Sequence, residues 1–183
     1  PALRPEQVSW LLERSADDAN AATGCEKCSV GRDKFTGWGT LDVENALNRL
    51  AQPLPPVDQD EPNDNAGPWS HALPPLPRTI DATLDYWDDN LDVYRVYLQK
   101  GRRLYARVTP SSAGTVRMSV WAPGTKRVDT LDARRSLLAQ SRPAGVQARI
   151  AYRAKSTGAY YLELSLSRPT HDPVSYRLAV ARG

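Results

Sequence analysis

Asp92-Val-Tyr-Arg-Val-Tyr-Leu98 runs into the turn Gln99-Lys-Gly-Arg102, after which Leu104, Ala106 and Val108 alternate with Arg103, Tyr105 and Arg107. Apolar residues at every second position mark one face of a strand, not of a helix. The same period recurs on both sides. Upstream, Ile80, Ala82, Leu84 and Tyr86 alternate with Asp81, Thr83 and Asp85. Downstream, Val116, Met118 and Val120 alternate with Thr115, Arg117 and Ser119, and Ala122-Pro-Gly124 closes that run. Ile150 and Tyr152, then Tyr160, Leu162, Leu164 and Leu166, then Tyr176, Leu178 and Val180 complete the series. Residues 133–146 show no regular period and read as a loop. Short alternating strands separated by turn signals predict a mainly β fold over residues 79–183, an antiparallel sandwich of about seven or eight strands.

The period changes at a joint. Eight of the 15 prolines lie between Pro53 and Pro77, three of them in Gln52-Pro-Leu-Pro-Pro56. Such a stretch is extended and stiff, which makes residues 52–78 a linker. Leu73-Pro-Pro-Leu-Pro77 has the look of a polyproline ligand, and equally of an extended approach to a sheet. Before the joint the spacing is helical. Val8, Leu11, Leu12 and Ser15 share one face of a segment whose Pro5 suits a first helical turn. Val43, Ala46, Leu47 and Leu50 share another, behind Asp42 as the N-cap. Gly37 and Gly39 bracket Trp38, which points to a tight turn or to backbone passing close to another element.

The formal net charge of +3 hides an asymmetry. Residues 54–100 carry nine acidic and three basic side chains, residues 101–153 eleven basic and two acidic. The first stretch invites a cation, the second a polyanion or an acidic polymer, and a solvated face accounts for either. No run of about 18 apolar residues occurs, so no membrane span is predicted. Cys25-Glu-Lys-Cys28 supplies two thiols, half of what a structural zinc site takes, and His71 and His171 are distant. A small-loop disulfide between Cys25 and Cys28 in an oxidising compartment is the reading adopted, with free thiols as the alternative.

Two stretches carry family resemblances. Gly31-Arg-Asp-Lys-Phe-Thr-Gly-Trp-Gly-Thr-Leu-Asp-Val-Glu-Asn-Ala-Leu47, with Pro1-Ala-Leu-Arg-Pro-Glu-Gln-Val-Ser-Trp-Leu-Leu12 before it, resembles the closing helices of a subtilisin-like serine protease domain. The resemblance implies that residues 1–51 end such an α/β domain. It also implies that the G-T-S-M-A serine motif lies upstream of Pro1, in an N-terminal peptidase domain that this chain lacks. Glu61-Pro-Asn-Asp64, Asp92-Val-Tyr94-Arg-Val96, Ser156-Thr-Gly-Ala-Tyr-Tyr-Leu162 and Tyr176-Arg-Leu178 together resemble the bacterial pre-peptidase C-terminal domain. That domain is a jelly-roll-like β-sandwich appended to secreted proteases, which implies a secreted, extracellular protein.

Chemistry is expected at two places. Calcium takes six to eight oxygen ligands, and Glu61, Asn63 and Asp64 crowd four positions of the linker while Asp89 and Asp92 stand three apart at a strand mouth. The calcium-binding members of the resembled family hold their ligands at similar positions. Those members also have an acid two residues before the glutamate, where this chain has Gln59. Turn and capping carboxylates are the other reading. Arg103, Arg107, Arg117, Arg149 and Arg153 fall opposite the inward residues of their strands, with Tyr105 in the same phase and Trp121 at the edge. Arginine forks and exposed rings hold extended polymers, and an ordinary solvent face has the same look. Nucleic acid is not expected, since no recognised motif accompanies the charge. No catalytic residue is assigned, because no serine or histidine here has the context of a triad. The expected function is the C-terminal portion of a secreted subtilisin-like endopeptidase, with the sandwich serving substrate docking, stability or secretion. The alternative is a non-catalytic, calcium-dependent module for collagen or another extracellular polymer.

Overall fold

The computed structural model describes residues 2–54, 58–85, 89–113, 115–142, 146–168 and 173–183. Tyr86, read as an inward strand residue, lies outside the described residues, as do Pro55, Pro56 and His171. The chain forms two compact units, residues 1–57 and residues 58–183.

In the first unit, helix α1 (Pro5–Ser15) opens with Pro5 in its first turn, where a missing N–H costs nothing. Gln7 Oε1 accepts the Arg4 N–H just before it, at 3.2 Å. Helix α2 (Val43–Arg49) is capped by Asp42, whose carboxylate accepts the Asn45 N–H at 2.9 Å. The Asn45 side chain donates in turn to the Ser15 carbonyl at 3.0 Å, pinning α2 to the end of α1. Backbone pairing of Asp17 with Thr40, at 2.8 and 2.9 Å, draws the intervening chain tight. Gly39 is required there: its φ is +112°, and a Cβ would sit 2.0 Å from the Asp17 carbonyl oxygen. Leu11, Ser15 and Ala46 are buried, whereas Val8, Leu12, Val43 and Leu47 of the same predicted stripes are exposed. Cys25 and Cys28 are joined by a disulfide with Cα atoms 5.3 Å apart.

The second unit is a two-sheet sandwich. Its strands are β1 (His71–Ala72), β2 (Arg78–Leu84), β3 (Leu91–Leu98), β4 (Arg103–Pro110), β5 (Val116–Trp121), β6 (Leu137–Gln140), β7 (Ala148–Arg153), β8 (Gly158–Leu166) and β9 (Val174–Arg182). One sheet runs β1-β3-β8-β5-β6 and the other β2-β9-β4-β7. Pairing is antiparallel except between β1 and β3. The predicted inward residues form the core between the sheets: Leu84, Tyr94, Leu98, Leu104, Val108, Met118, Leu162, Leu164 and Leu178 are fully closed off. A second cluster of Ala66, Val93, Trp121, Val128, Ala133 and Tyr161 lies apart from that core.

Three sequence readings are corrected. The stretch taken as a loop holds a 3₁₀ turn, Asp132–Ser136, and strand β6; Leu137 and Ala139 face inward, but four residues are too few for a period to declare itself. His71 and Ala72, read as linker, pair with Tyr94 and Arg95 as an added edge strand. Trp121, placed at the edge of the exposed basic face, is only 5% exposed. Alternation along β5 holds, with Val120 in the core between the sheets and Trp121 on the opposite face, but that face is covered by Ala66, Val128 and Ala133, which bury the indole.

Candidate metal centre

The acidic half of the chain converges on one place. Asp58, Asp89 and Asp92 each offer a carboxylate oxygen within 4.8 Å of the other two, and so do Glu61, Asp64 and Asp89. Asp89 belongs to both groups and so joins them.

Local structure aims each carboxylate. Asp89 pairs with Asp85 through reciprocal backbone hydrogen bonds at 2.8 and 3.1 Å. Asp92 stands in β3 and is 0% exposed. One of its oxygens accepts the Tyr176 hydroxyl, which also meets the Tyr94 hydroxyl at 2.6 Å. Its other oxygen, Oδ1, and Asp89 Oδ1 are buried without a hydrogen-bond partner among the described residues. Asp58 accepts the Asp60 N–H at 2.9 Å and, across to β2, the Thr83 N–H at 3.1 Å. Glu61 Oε2 accepts the Asn63 N–H at 3.2 Å.

The electrostatics follow from burial. Desolvation, followed by the charges of Asp92, Glu61 and Asp64, pushes the Asp89 carboxyl up to about 11. Desolvation likewise raises Asp92 well above the carboxylate range, against the pull of the Tyr176 hydroxyl. Like charges closed off together, with oxygens left unsatisfied, suit a divalent ion that reverses the local sign. The donor set is all oxygen, which fits a hard cation such as calcium and not a thiolate- or imidazole-seeking metal.

Of the residues expected as ligands, the structure brings together Glu61, Asp64, Asp89 and Asp92. Asn63 accepts the Val93 N–H with both its backbone carbonyl and its Oδ1, at 2.8 and 3.3 Å, which stitches the linker to β3 beside Asp92, and its Nδ2 is buried without a hydrogen-bond partner among the described residues. Asp58 is a member that the sequence motifs do not reveal. Its one signal is the density of acids around Asp60 and Glu61, and it stands three residues before Glu61 rather than at the Gln59 position. His71, discounted as a zinc ligand, approaches Asp60 at 3.5 Å.

The basic residues divide between the sheets. Arg103, Tyr105, Arg107, Arg149 and Arg153 occupy the outward face of the β2-β9-β4-β7 sheet, where Arg103 stands opposite Arg153 and Arg107 opposite Arg149. Arg117 is on the other sheet, half-buried, and Trp121 donates its Nε1–H to Glu163 at 2.7 Å. The expected polymer face is therefore reduced to Arg103, Tyr105 and Arg107, joined by Arg149 and Arg153.

No family model matches this chain, and no curated protein matches it. Solved structures do show similarity. The pre-peptidase C-terminal domain of a collagenase from Bacillus anthracis matches 57% of this chain and 89% of its own, with 19% identity and a TM-score of 0.45. PliG of Aeromonas hydrophila, a periplasmic inhibitor of g-type lysozyme, matches 61% of this chain and 94% of its own, with 13% identity and a TM-score of 0.47. CorA of Methylomicrobium album BG8, a surface-associated copper-binding protein, matches 56% of this chain and 92% of its own, with 10% identity and a TM-score of 0.41. At such identities the functional reading stands on this chain's own residues.

Proposed function

We propose that residues 58–183 are a non-catalytic accessory module of the pre-peptidase C-terminal kind, tied to its own linker by calcium. Residues 1–57 are then the closing helices of a secreted subtilisin-like serine endopeptidase, whose peptide-bond chemistry resides upstream. The observation that carries the calcium reading is Asp92, fully buried, with one oxygen held by Tyr176 and the other without a hydrogen-bond partner among the described residues, in a cluster with four more carboxylates. Calcium there would be held by Asp58, Glu61, Asp64, Asp89 and Asp92, offsetting their repulsion and joining linker to strand. The Cys25–Cys28 disulfide suits an oxidising, extracellular setting. Ordered motifs at both ends of the joint support the peptidase assignment, and a G-T-S-M-A-type motif in the reading frame upstream of Pro1 is the observation that checks it.

Calorimetric titration of calcium into chelator-treated protein tests the metal site. Saturable binding is expected, lost in Asp92→Asn and kept in Asp132→Asn, whose carboxylate lies in the 3₁₀ turn before β6. A wild-type titration with no binding heat at several temperatures would remove the site. A second reading, a module that docks on an extracellular polymer, is favoured by the arginine-rich sheet face and needs no metal.

A further inference from the structure

The outward face of the β2-β9-β4-β7 sheet holds a groove of about 830 Å³. Its floor is made of small residues: Ala179 and Ala181 on β9 and Ala151 on β7. Tyr105 on β4 stands between them, paired in register with Ala151 on one side and Ala181 on the other, and it is 42% exposed. Alanines on both flanks leave one face of that ring open, while its edge lies against Gly183, where a Cβ would come within 2.9 Å of Cε2.

Charge on this face is arranged against the sheet's own stability. Arg107 faces Arg149 and Arg103 faces Arg153 directly across β4 and β7. Like charges opposed on one face repel, and a sheet evolved only for solubility would set acids among them. Among the described residues no carboxylate forms an ion pair with any of these four; Arg149 donates to Gln147 and Arg153 to the Gly101 carbonyl, both neutral. The one acid engaged on the face, Asp81, is taken by Arg177. Two arginine pairs thus flank one ring. Arg103 and Arg107 are four residues apart on one strand, so their rows are separated by roughly 13 Å at the rise of a β-strand.

We propose that this face binds an anionic linear polysaccharide: a sugar ring lies over Tyr105, the acid group of a sugar on one side of it sits in the groove on Arg107 and Arg149, and that of a sugar on the other side sits on Arg103 and Arg153, beyond the groove on the same face. A single small anion cannot reach both rows. Arginine's planar fork matches carboxylate and sulfate oxygens in pairs, and the apolar face of a sugar lies flat on an aromatic ring. Single-stranded nucleic acid is held by a succession of rings under successive bases, and this groove has one. A peptide docking by strand addition needs a sheet edge, and this groove lies on a face. The site uses no residue of the metal centre, so it stands or falls apart from the calcium reading.

The test is binding of a fluorescent heparin octasaccharide to the full chain, measured with calcium and with chelator. Saturable binding that weakens with salt is expected in both. Arg107→Glu/Arg149→Glu should weaken it by roughly tenfold or more, since two charge-assisted contacts become repulsions. Tyr105→Ala should weaken it while leaving its salt dependence unchanged. Arg95→Glu, a single reversal on an exposed residue of the other sheet, should have little effect. Equal binding by wild type and the double variant would overturn the proposal, as would an Arg95→Glu loss as large as that of the double variant. Tighter binding of oligothymidylate or of a collagen peptide to the same groove would also overturn it.

Discussion

Glu163 and Asp92 are buried carboxylates on adjacent strands of one sheet, closed in for different reasons. Glu163 accepts the Trp121 Nε1–H at 2.7 Å and is 8% exposed. Burial raises its carboxyl above the ordinary range, while hydrogen bonds from Ser165 and Trp121 and the charge of Arg117 pull it back. A raised folded pKa means that the folded state holds the proton more tightly than the unfolded chain does. The stability this contributes is full below the unfolded value of about 4.3 and is lost as pH rises through the folded value. Glu163→Gln keeps an acceptor for Trp121 and removes the charge. Urea unfolding should therefore show it matching the wild type near pH 4 and exceeding it by on the order of 1 kcal/mol at pH 8. A variant weaker than the wild type at pH 8 would mean that the attraction of Arg117 outweighs the burial penalty. Asp92 has no indole to explain its depth, and its Oδ1, without a hydrogen-bond partner among the described residues, is the reason to look for an ion.

At the scale of elements, the strands that pass through the middle of the sandwich announce themselves, because each has three or more inward residues in a row of alternation. Leu104, Ala106 and Val108 of β4 are the clearest instance, and all three are buried. Strand β1, with two residues, and β6, with four, owe their pairing to the neighbour they extend, and nothing in their own residues marks them. The glycine beside Trp38 is readable for a different reason. Gly39 must let the Asp17 carbonyl approach, a demand that only a missing Cβ meets. The carboxylate cluster is legible in its parts but not in its membership: the motifs mark Glu61, Asp64, Asp89 and Asp92, whereas the Asp58 carboxylate is held by the Thr83 N–H it accepts, a contact that no spacing encodes. Helices α1 and α2 show the reverse case, apolar stripes that the structure only partly covers. Seven to eleven residues give little helical stability without packing. Hydrogen exchange should accordingly find the amides of α1 and α2 less protected than those of β3 and β8. Equal protection would show that Val8, Leu12, Val43 and Leu47 have found cover.

Across the whole molecule, the charge asymmetry of the sequence becomes a division of labour within residues 58–183. Four acids of the first stretch gather around Asp89, and arginines of the second stand on the outward face of one sheet. The proposed chemistry thus falls at two separate sites, one for a cation and one for an anion, on a scaffold whose largely apolar core also holds the hydrogen-bonded Tyr94–Tyr176–Asp92 chain. The central claim is that the first site is built for calcium, and a pair of thermal melts at pH 8 tests it most directly. An ion that binds only the folded form stabilises it by about 2.7 kcal/mol at a hundredfold excess over its dissociation constant. Because Asp89 is pushed up to about 11 in the metal-free fold, the chelated protein should lose stability as pH rises from 5 to 8, and the calcium-dependent gain should widen over the same range. The account predicts a higher Tm in millimolar calcium than in excess chelator, with the difference abolished in Asp92→Asn. Identical Tm values with and without calcium at pH 8 would contradict it.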